Sequence, residues 1–315
     1  MNIRTKGIFA ALSSALFLGM TPIFGKRAIM MGVPPLAVVA IRTILAALIL
    51  LALIAIFKRQ YLFIYPAGLL GCLLAGWING LGSLFYYSAL GRIDAGVGQL
   101  IFAQYPLFVA LWLFLDKQPP SRLTLFRLGI AIVAVYLLTQ SGQDKIDLIG
   151  ILMMLAASAL YALHLPISQR VLYDMPAPTV TVYTLLAMSA VVVPAFFFSP
   201  IGSFPQEVGA WWPLMGLTLV TLLSRLTLFL GVKHIGGLQT AILGFSELLI
   251  TMLMSQVWLG ERFSMQQCLG ALLLGLSIFL IGLEKAPPKK RGPGGWLSWL
   301  SHPTLPSDLS WHPHD

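Results

Sequence analysis

Glu247 lies in the stretch GFSELLITMLMSQVWLGE, Gly244 to Glu261, about eleven residues into an apolar run that is long enough to cross a bilayer. A charge at the bilayer centre costs about 2.5–3.5 kcal/mol on insertion scales, so an ionisable group there needs a function or a partner. At helical spacing, Thr240, Gly244, Glu247, Thr251 and Ser255 share one face. Such a stripe could line a hydrated cavity, where Glu247 would bind a cationic group or a coupling proton. The other reading is a packing stripe of small residues, with a neutral carboxyl joining two helices. Arg42 and Arg225 also fall inside apolar runs. A guanidinium keeps its proton, so each requires a carboxylate, water or an anionic ligand. Arg225, with Thr218 and Thr221 on its face, could pair with Glu247 or hold a substrate carboxylate; Arg42 could do likewise or snorkel to an interface.

Lesser candidates surround these. His164 precedes Pro166, and a proline bend beside a histidine suits a cavity wall as well as an ordinary buried hydrogen bond. Gln99, Gln104 and Tyr105 form the earlier counterpart of the Glu247 region, with Tyr105 aligned to Glu247. Trp77 and Asn79 could add an aromatic wall and an amide contact. Enzyme chemistry finds less support, because the chain has no G-x-x-x-x-G-K-[ST] and no H-E-x-x-H, and Ser246 has no histidine at a credible spacing. Cys72 and Cys268 are isolated and read as small apolar packing residues. His302, His312 and His314 are too scattered to suggest a metal, and no cofactor is expected.

These residues must be positioned by helices in lipid. The chain of 315 residues is 58% hydrophobic and 10% charged, too apolar for one water-soluble core. Long continuous apolar runs select helices over barrel strands. Ten runs stand out: Gly7–Phe24, Pro35–Phe57, Leu69–Leu90, Ala95–Leu115, Leu123–Leu138, Leu148–Ile167, Pro178–Phe198, Trp211–Val232, Ile235–Leu259 and Met265–Leu283. The first is read as an uncleaved helix, since no A-x-A site precedes Pro22. Arg127 in the fifth is expected to snorkel.

The net charge of +9 is distributed as in a membrane protein and gives no reason to invoke nucleic acid. A cytoplasmic N-terminus puts Arg4, Lys6, Lys58, Arg59, Lys117, Arg122, Arg127, Arg170, Lys233 and the Lys285–Arg291 cluster on the cytoplasmic side. The other side receives Lys26, Arg27, Arg92, Lys145 and Arg262. The positive-inside rule then predicts that both termini are cytoplasmic. Trp211 and Trp212 fit an interfacial belt, and the Pro- and Gly-rich tail 285–315 reads as disordered and able to touch anionic lipid.

The halves echo one another. ALFLGMTPIFGKR (Ala15 to Arg27) resembles ALYALHLPISQR (Ala159 to Arg170), each with a proline at the same interval after its first alanine. LGRIDAGVGQLIFAQYPLFVALWLFL from Leu90 likewise aligns with VKHIGGLQTAILGFSELLITMLMSQVWL from Val232, after a two-residue adjustment. Five spans per copy is an odd number, so the second copy enters the membrane from the opposite side. The expected fold is an all-α membrane protein of ten transmembrane helices in two inverted five-helix repeats, residues 1–142 and 143–284, followed by the tail.

WLGERFSMQQCLGALLLGLSIFLIG (Trp258 to Gly282), with Glu247 preceding Glu261, resembles the end of an EamA domain of the drug/metabolite transporter superfamily. So does YYSALGRIDAGVGQLIFAQYPLFVALWLFL (Tyr86 to Leu115). Lys117 stands where the first repeat of that family usually ends in glutamate, and Leu248 where proline is usual. The resemblance spans residues 7–283 and implies a ten-helix carrier of small metabolites, often directed outward. The expectation is therefore a secondary active transporter, an exporter working by alternating access in a bacterial inner (plasma) membrane. It would carry a small polar or amphipathic substrate, driven by protons or by the substrate's own gradient, with sodium coupling as the alternative. An intramembrane lipid-modifying transferase and a channel are the alternatives. Saturable uphill flux marks the carrier, product formed in lipid marks the enzyme, and a continuous pore marks the channel.

Overall fold

The computed structural model describes residues 2–92, 95–116, 121–138, 147–199 and 208–259, with scattered positions between 265 and 280. The described regular structure is helical: α1 (Ile3–Met30), α2 (Pro35–Phe57), α3 (Pro66–Leu90), α4 (Ala95–Phe102), α5 (Tyr105–Leu115), α6 (Arg122–Leu138), α7 (Leu148–Leu172), α8 (Ala177–Phe197), α9 (Trp212–Ile235), α10 (Gly237–Gly244) and α11 (Ser246–Leu259). Six of these, α1, α2, α3, α7, α8 and α9, are long and apolar enough to cross a membrane. The molecule is an integral, multi-pass membrane protein. Most of the tenth apolar run, its connection from α11, and the tail lie outside the described residues.

Helices α2 and α3 begin at a proline, and α9 has one at its second position. Proline suits the first turn because its missing N–H would have no intrahelical acceptor there. Asp147 starts α7 differently, its carboxylate accepting from Ile149 N (2.8 Å) and Gly150 N (3.4 Å). Arg92, beyond α3, pairs with the same carboxylate at 3.2 Å. That ion pair joins the end of α3 to the start of α7.

Two apolar runs expected as single spans are each divided. The fourth breaks after Phe102, where Pro106 cannot donate to the carbonyl four residues earlier. The freed Phe102 carbonyl accepts from Ser158 Oγ of α7 at 2.9 Å. The ninth breaks at Phe245, whose N–H turns to Ile242 O and releases Ala241 O. No proline causes this second break; Tyr105 of α5 donates its hydroxyl to Ala241 O at 3.1 Å. A Cβ on Gly244 would lie 1.7 Å from the Tyr105 hydroxyl oxygen, so glycine is required there. The two interrupted spans are stitched together.

The helix contacts match under exchange of the two halves. The most extensive interfaces, α1 with α9 and α3 with α7, correspond when α1 is exchanged with α7 and α3 with α9. The pairs α1–α11 and α5–α7, and α1–α10 and α4–α7, correspond in the same way. Gly19 lets α1 approach α11 closely, a Cβ there coming 2.7 Å from Glu247 O.

The bundle has two unlike ends. One gathers the α1–α2 turn, the ends of α3 and α8, and the starts of α7 and α9, as Arg92–Asp147 and the edge contact of Phe24 with Trp212 show. Lys26 and Arg27, the basic pair at odds with the charge pattern, have local partners here. Lys26 donates to Leu90 O at 3.3 Å, and Arg27 lies 5.3 Å over the Trp212 ring. The other end gathers the α2–α3 link, the α7–α8 turn and the starts of α6 and α10, as shown by Thr179 and Tyr183 donating to Tyr61 O and Leu62 O.

That second end is packed shut by an apolar cluster that includes Leu113, Leu172, Val180, Phe229 and Leu238. A buried polar layer runs through it. Arg170 pairs with Asp116 at 2.8 Å, Arg127 donates to Gln239 at 2.9 Å, and Gln169 accepts from Gly237 N at 2.7 Å. Arg127 is fully buried and does not snorkel, because Gln239 offers its guanidinium an acceptor inside the bundle.

Candidate functional site

A cavity of about 50 Å³ lies between the middle of the bundle and its first end. A water needs about 10–15 Å³ by this kind of measure, so the space admits several. Its walls come from both halves: Leu18 and Thr21 of α1, Arg42 of α2, Asn79, Ser83, Tyr86 and Tyr87 of α3, Gln99 and Phe102 of α4, Ala157 and Tyr161 of α7, Arg225 of α9 and Glu247 of α11.

The break at Phe245 places Glu247 in the first turn of α11. The residue is only 2% exposed, and its Oε1 has no hydrogen-bond partner among the described residues. Thr251, expected on the same stripe, does not reach the cavity. Its hydroxyl is shared between Gly19 O (2.8 Å) and Glu247 O (2.9 Å), which fastens α11 to α1. The side chain of Ser255 lies outside the described residues.

Arg225 does not pair with Glu247, one of the two roles open to it in the sequence. Among the described residues its partners are neutral, although both groups border one cavity. With the Asn79 amide oxygen turned to the guanidinium, it accepts from Nη2 at 3.0 Å and Nη1 at 3.2 Å. Nη1 also faces His164 Nε2 at 3.5 Å. His164 Nδ1 meets the Tyr161 carbonyl, so the proton sits on Nδ1 and Nε2 presents its lone pair to the arginine. His164 therefore stands behind Arg225 as a positioning group and is not itself a lining residue. The guanidinium also lies 5.4 Å over the Tyr161 ring.

Arg42 is buried, with 6% exposure, and does not snorkel. Its Nη1 donates to Thr221 Oγ1 at 3.2 Å, and its guanidinium lies 4.7 Å over the Tyr87 ring. Each cation–π contact of this buried kind contributes about 0.5–2 kcal/mol. Among the described residues, neither arginine is paired with a carboxylate.

The lesser candidates divide. Asn79 and Gln99 line the cavity, and Tyr86 donates to Gln99 Oε1 at 3.1 Å. Tyr105 serves the helix break, and Gln104 occupies the turn between α4 and α5. Trp77 is 46% exposed and points away from the site. Two residues from Asn79 on a helix is about 200° of rotation, so the two side chains cannot share a face. Sequence reasoning passed over Tyr86, Tyr87 and Tyr161. Their hydroxyls in apolar spans, which need partners when buried, were the available signal. Among the described residues, no group of three His, Cys, Asp or Glu side chains comes together.

Known proteins share this architecture. A solved crystal structure superposes with a TM-score of 0.73 at 16% identity, covering 89% of this chain and 97% of its own; that likeness concerns the fold. The threonine/homoserine exporter RhtA of Escherichia coli K12 is 28% identical over 273 residues, 82% of this chain and 87% of its own. The uncharacterized transporter sll1319 of Synechocystis sp. is 24% identical over 233 residues, covering 70% and 67% respectively. YcbK of Bacillus subtilis, also an uncharacterized transporter, is 22% identical over 215 residues, or 65% and 68%. The EamA-like transporter family matches residues 5–140 and again 148–283. With both halves of the sequence matched in the same order as the internal echo, the chain belongs to the EamA-like transporter family.

Proposed function

We propose that this protein is a secondary active exporter of small polar, amino-acid-like metabolites, working by alternating access. The observation that carries the reading is the cavity between the two halves, bordered by Glu247 and by two arginines that have no carboxylate partner among the described residues. The paired matches to one family and the exchange-related helix contacts support two inverted five-helix repeats, 1–142 and 143–284. RhtA, named as a threonine/homoserine exporter, supports an amino-acid-like solute and outward movement.

The basic residues at the second end support a cytoplasmic location for it, with both termini on that side of a bacterial inner membrane. The cavity then faces outward, and the Asp116–Arg170 layer is the closed inner gate. Rocking of the halves exposes Glu247 to each side in turn. A carboxyl in a dry environment keeps its proton and a hydrated one releases it, so alternating hydration makes Glu247 a proton carrier. The test is a metabolite-efflux screen of cells with and without the protein, repeated with Glu247→Gln. The reading expects saturable, proton-driven efflux of at least one small polar metabolite that the variant loses while still reaching the membrane. A product formed in lipid, or flux that does not saturate, contradicts it.

A further inference from the structure

The charge and hydrogen-bonding groups around the cavity are unbalanced, and the imbalance bears on what it takes. Two guanidinium groups face one carboxyl. Arg42 donates to Thr221, and Arg225 to Asn79 and His164; every one of these acceptors is neutral. Thr221 and Arg225 are one turn apart on α9, so the bond from Arg42 holds the two positive groups side by side. Hydrogen-bonding capacity tilts the same way. Arg42 Nε and the Tyr87 and Tyr161 hydroxyls are buried without a partner among the described residues, and all can donate. Against these donors stands Glu247 Oε1, likewise buried and unpartnered.

We propose that the cavity selects small amino dicarboxylates, their two carboxylates meeting Arg42 and Arg225 and their ammonium meeting Glu247. The assignment rests on the transporter reading above and specifies its substrate class. A neutral zwitterion satisfies Glu247 and one arginine, leaving the other guanidinium uncompensated where the dielectric is low. A cationic amino acid adds a second positive group beside the arginines. A dicarboxylate without an amine brings a carboxylate's charge up to Glu247 with nothing to offset it. The amino dicarboxylate alone among these matches two positive sites and one negative one. The tyrosine hydroxyls supply further donors to the carboxylate oxygens.

Counterflow into liposomes containing the purified full-length protein tests this, using labelled aspartate and glutamate against serine, threonine, lysine and succinate. Aspartate or glutamate is expected to exceed every other solute by about tenfold or more, the effect of leaving one buried charge unpaired. Arg42→Gln is expected to bring the ratio of aspartate to serine flux close to one. Arg42→Lys, which keeps the charge, is expected to retain part of the preference. Unchanged thermal midpoints establish that both variants are folded. Serine or threonine flux equal to or above that of aspartate overturns the charge assignment and leaves the transporter reading standing. Succinate at parity with aspartate overturns the ammonium–Glu247 contact. No flux of any solute with folded wild-type protein overturns both.

Discussion

The Tyr105 hydroxyl donates to the Ala241 carbonyl at 3.1 Å, joining the break between α4 and α5 to the break between α10 and α11. Each interruption depends on the other. Tyr105 begins α5 because the chain has turned before Pro106, and its hydroxyl takes the carbonyl that Phe245 N–H has abandoned. Glu247 follows two residues after that break, so its entry into the cavity is fixed by a tyrosine from the other half of the sequence.

Tyr105→Phe leaves Ala241 O without its donor. An orphaned buried carbonyl costs about 1–3 kcal/mol, although membrane hydrogen bonds average nearer ~0.6 kcal/mol. A drop in thermal midpoint of the detergent-purified protein is expected. Gly244→Ala is expected to lower it further, because its methyl group would occupy the hydroxyl's place. Gly244→Ala placed on the Tyr105→Phe background should do less harm than on the wild type, and additive losses would show that the two sites are independent.

The Asp116–Arg170 pair is buried on both sides. Removing one partner of such a pair costs about 3–5 kcal/mol, because the other charge is stranded. Arg170→Met is expected to destabilise strongly, and Arg170→Met with Asp116→Leu to recover most of the loss. A double-mutant cycle read by thermal unfolding measures the coupling. Near-zero coupling would remove the pair from the account of the closed end.

The ion pair at the opposite end is pH-sensitive. The Arg92 hydrogen bond, aided by the N–H groups of Ile149 and Gly150, holds the Asp147 carboxyl below the usual carboxylate range. A carboxyl with a lowered folded-state value contributes stability above its unfolded value, about 3.9, and loses that contribution as pH falls through the folded value. Asp147→Ala is therefore expected to lower the midpoint of unfolding at neutral pH and to match the wild type in strong acid. A deficit unchanged by acid would show that the carboxylate's charge plays no part.

Trp77 and Asn79 separate a cavity wall from a lipid-facing surface within one turn. Trp77→Leu should leave efflux within about twofold of wild type, as exposed substitutions away from special features shift stability by no more than about 0.5 kcal/mol. Asn79→Leu removes the oxygen that receives two Arg225 N–H groups and should reduce efflux by an order of magnitude or more, since hydrogen bonds to charged groups contribute about 1.5–3 kcal/mol. Equal losses from the two variants would contradict the placement.

Much of this was readable in the sequence, for physical reasons. Apolar runs long enough for lipid declare themselves, and Glu247, Arg42 and Arg225 stand out because charge in hydrocarbon is costly. The breaks in the fourth and ninth runs were less visible. Pro106 could have suggested the first, but the second depends on a hydroxyl arriving from a distant segment, and Gly244 becomes necessary only once Tyr105 is in place. Partners were similarly hidden. Nothing in spacing directs Arg225 to Asn79 and His164 in preference to Glu247, or tells Arg127 that Gln239 waits inside the bundle. Helical periodicity alone sets Trp77 and Asn79, two residues apart, on different faces of α3.

The most direct test asks whether Glu247 carries the coupling proton. In liposomes with an imposed pH gradient, wild-type protein should drive its solute uphill. Glu247→Gln, which keeps the shape and removes the titrating proton, should abolish uphill movement, with exchange down the solute's own gradient persisting if binding survives. Uphill transport by Glu247→Gln at the wild-type rate would contradict the central claim that this carboxyl carries the coupling proton.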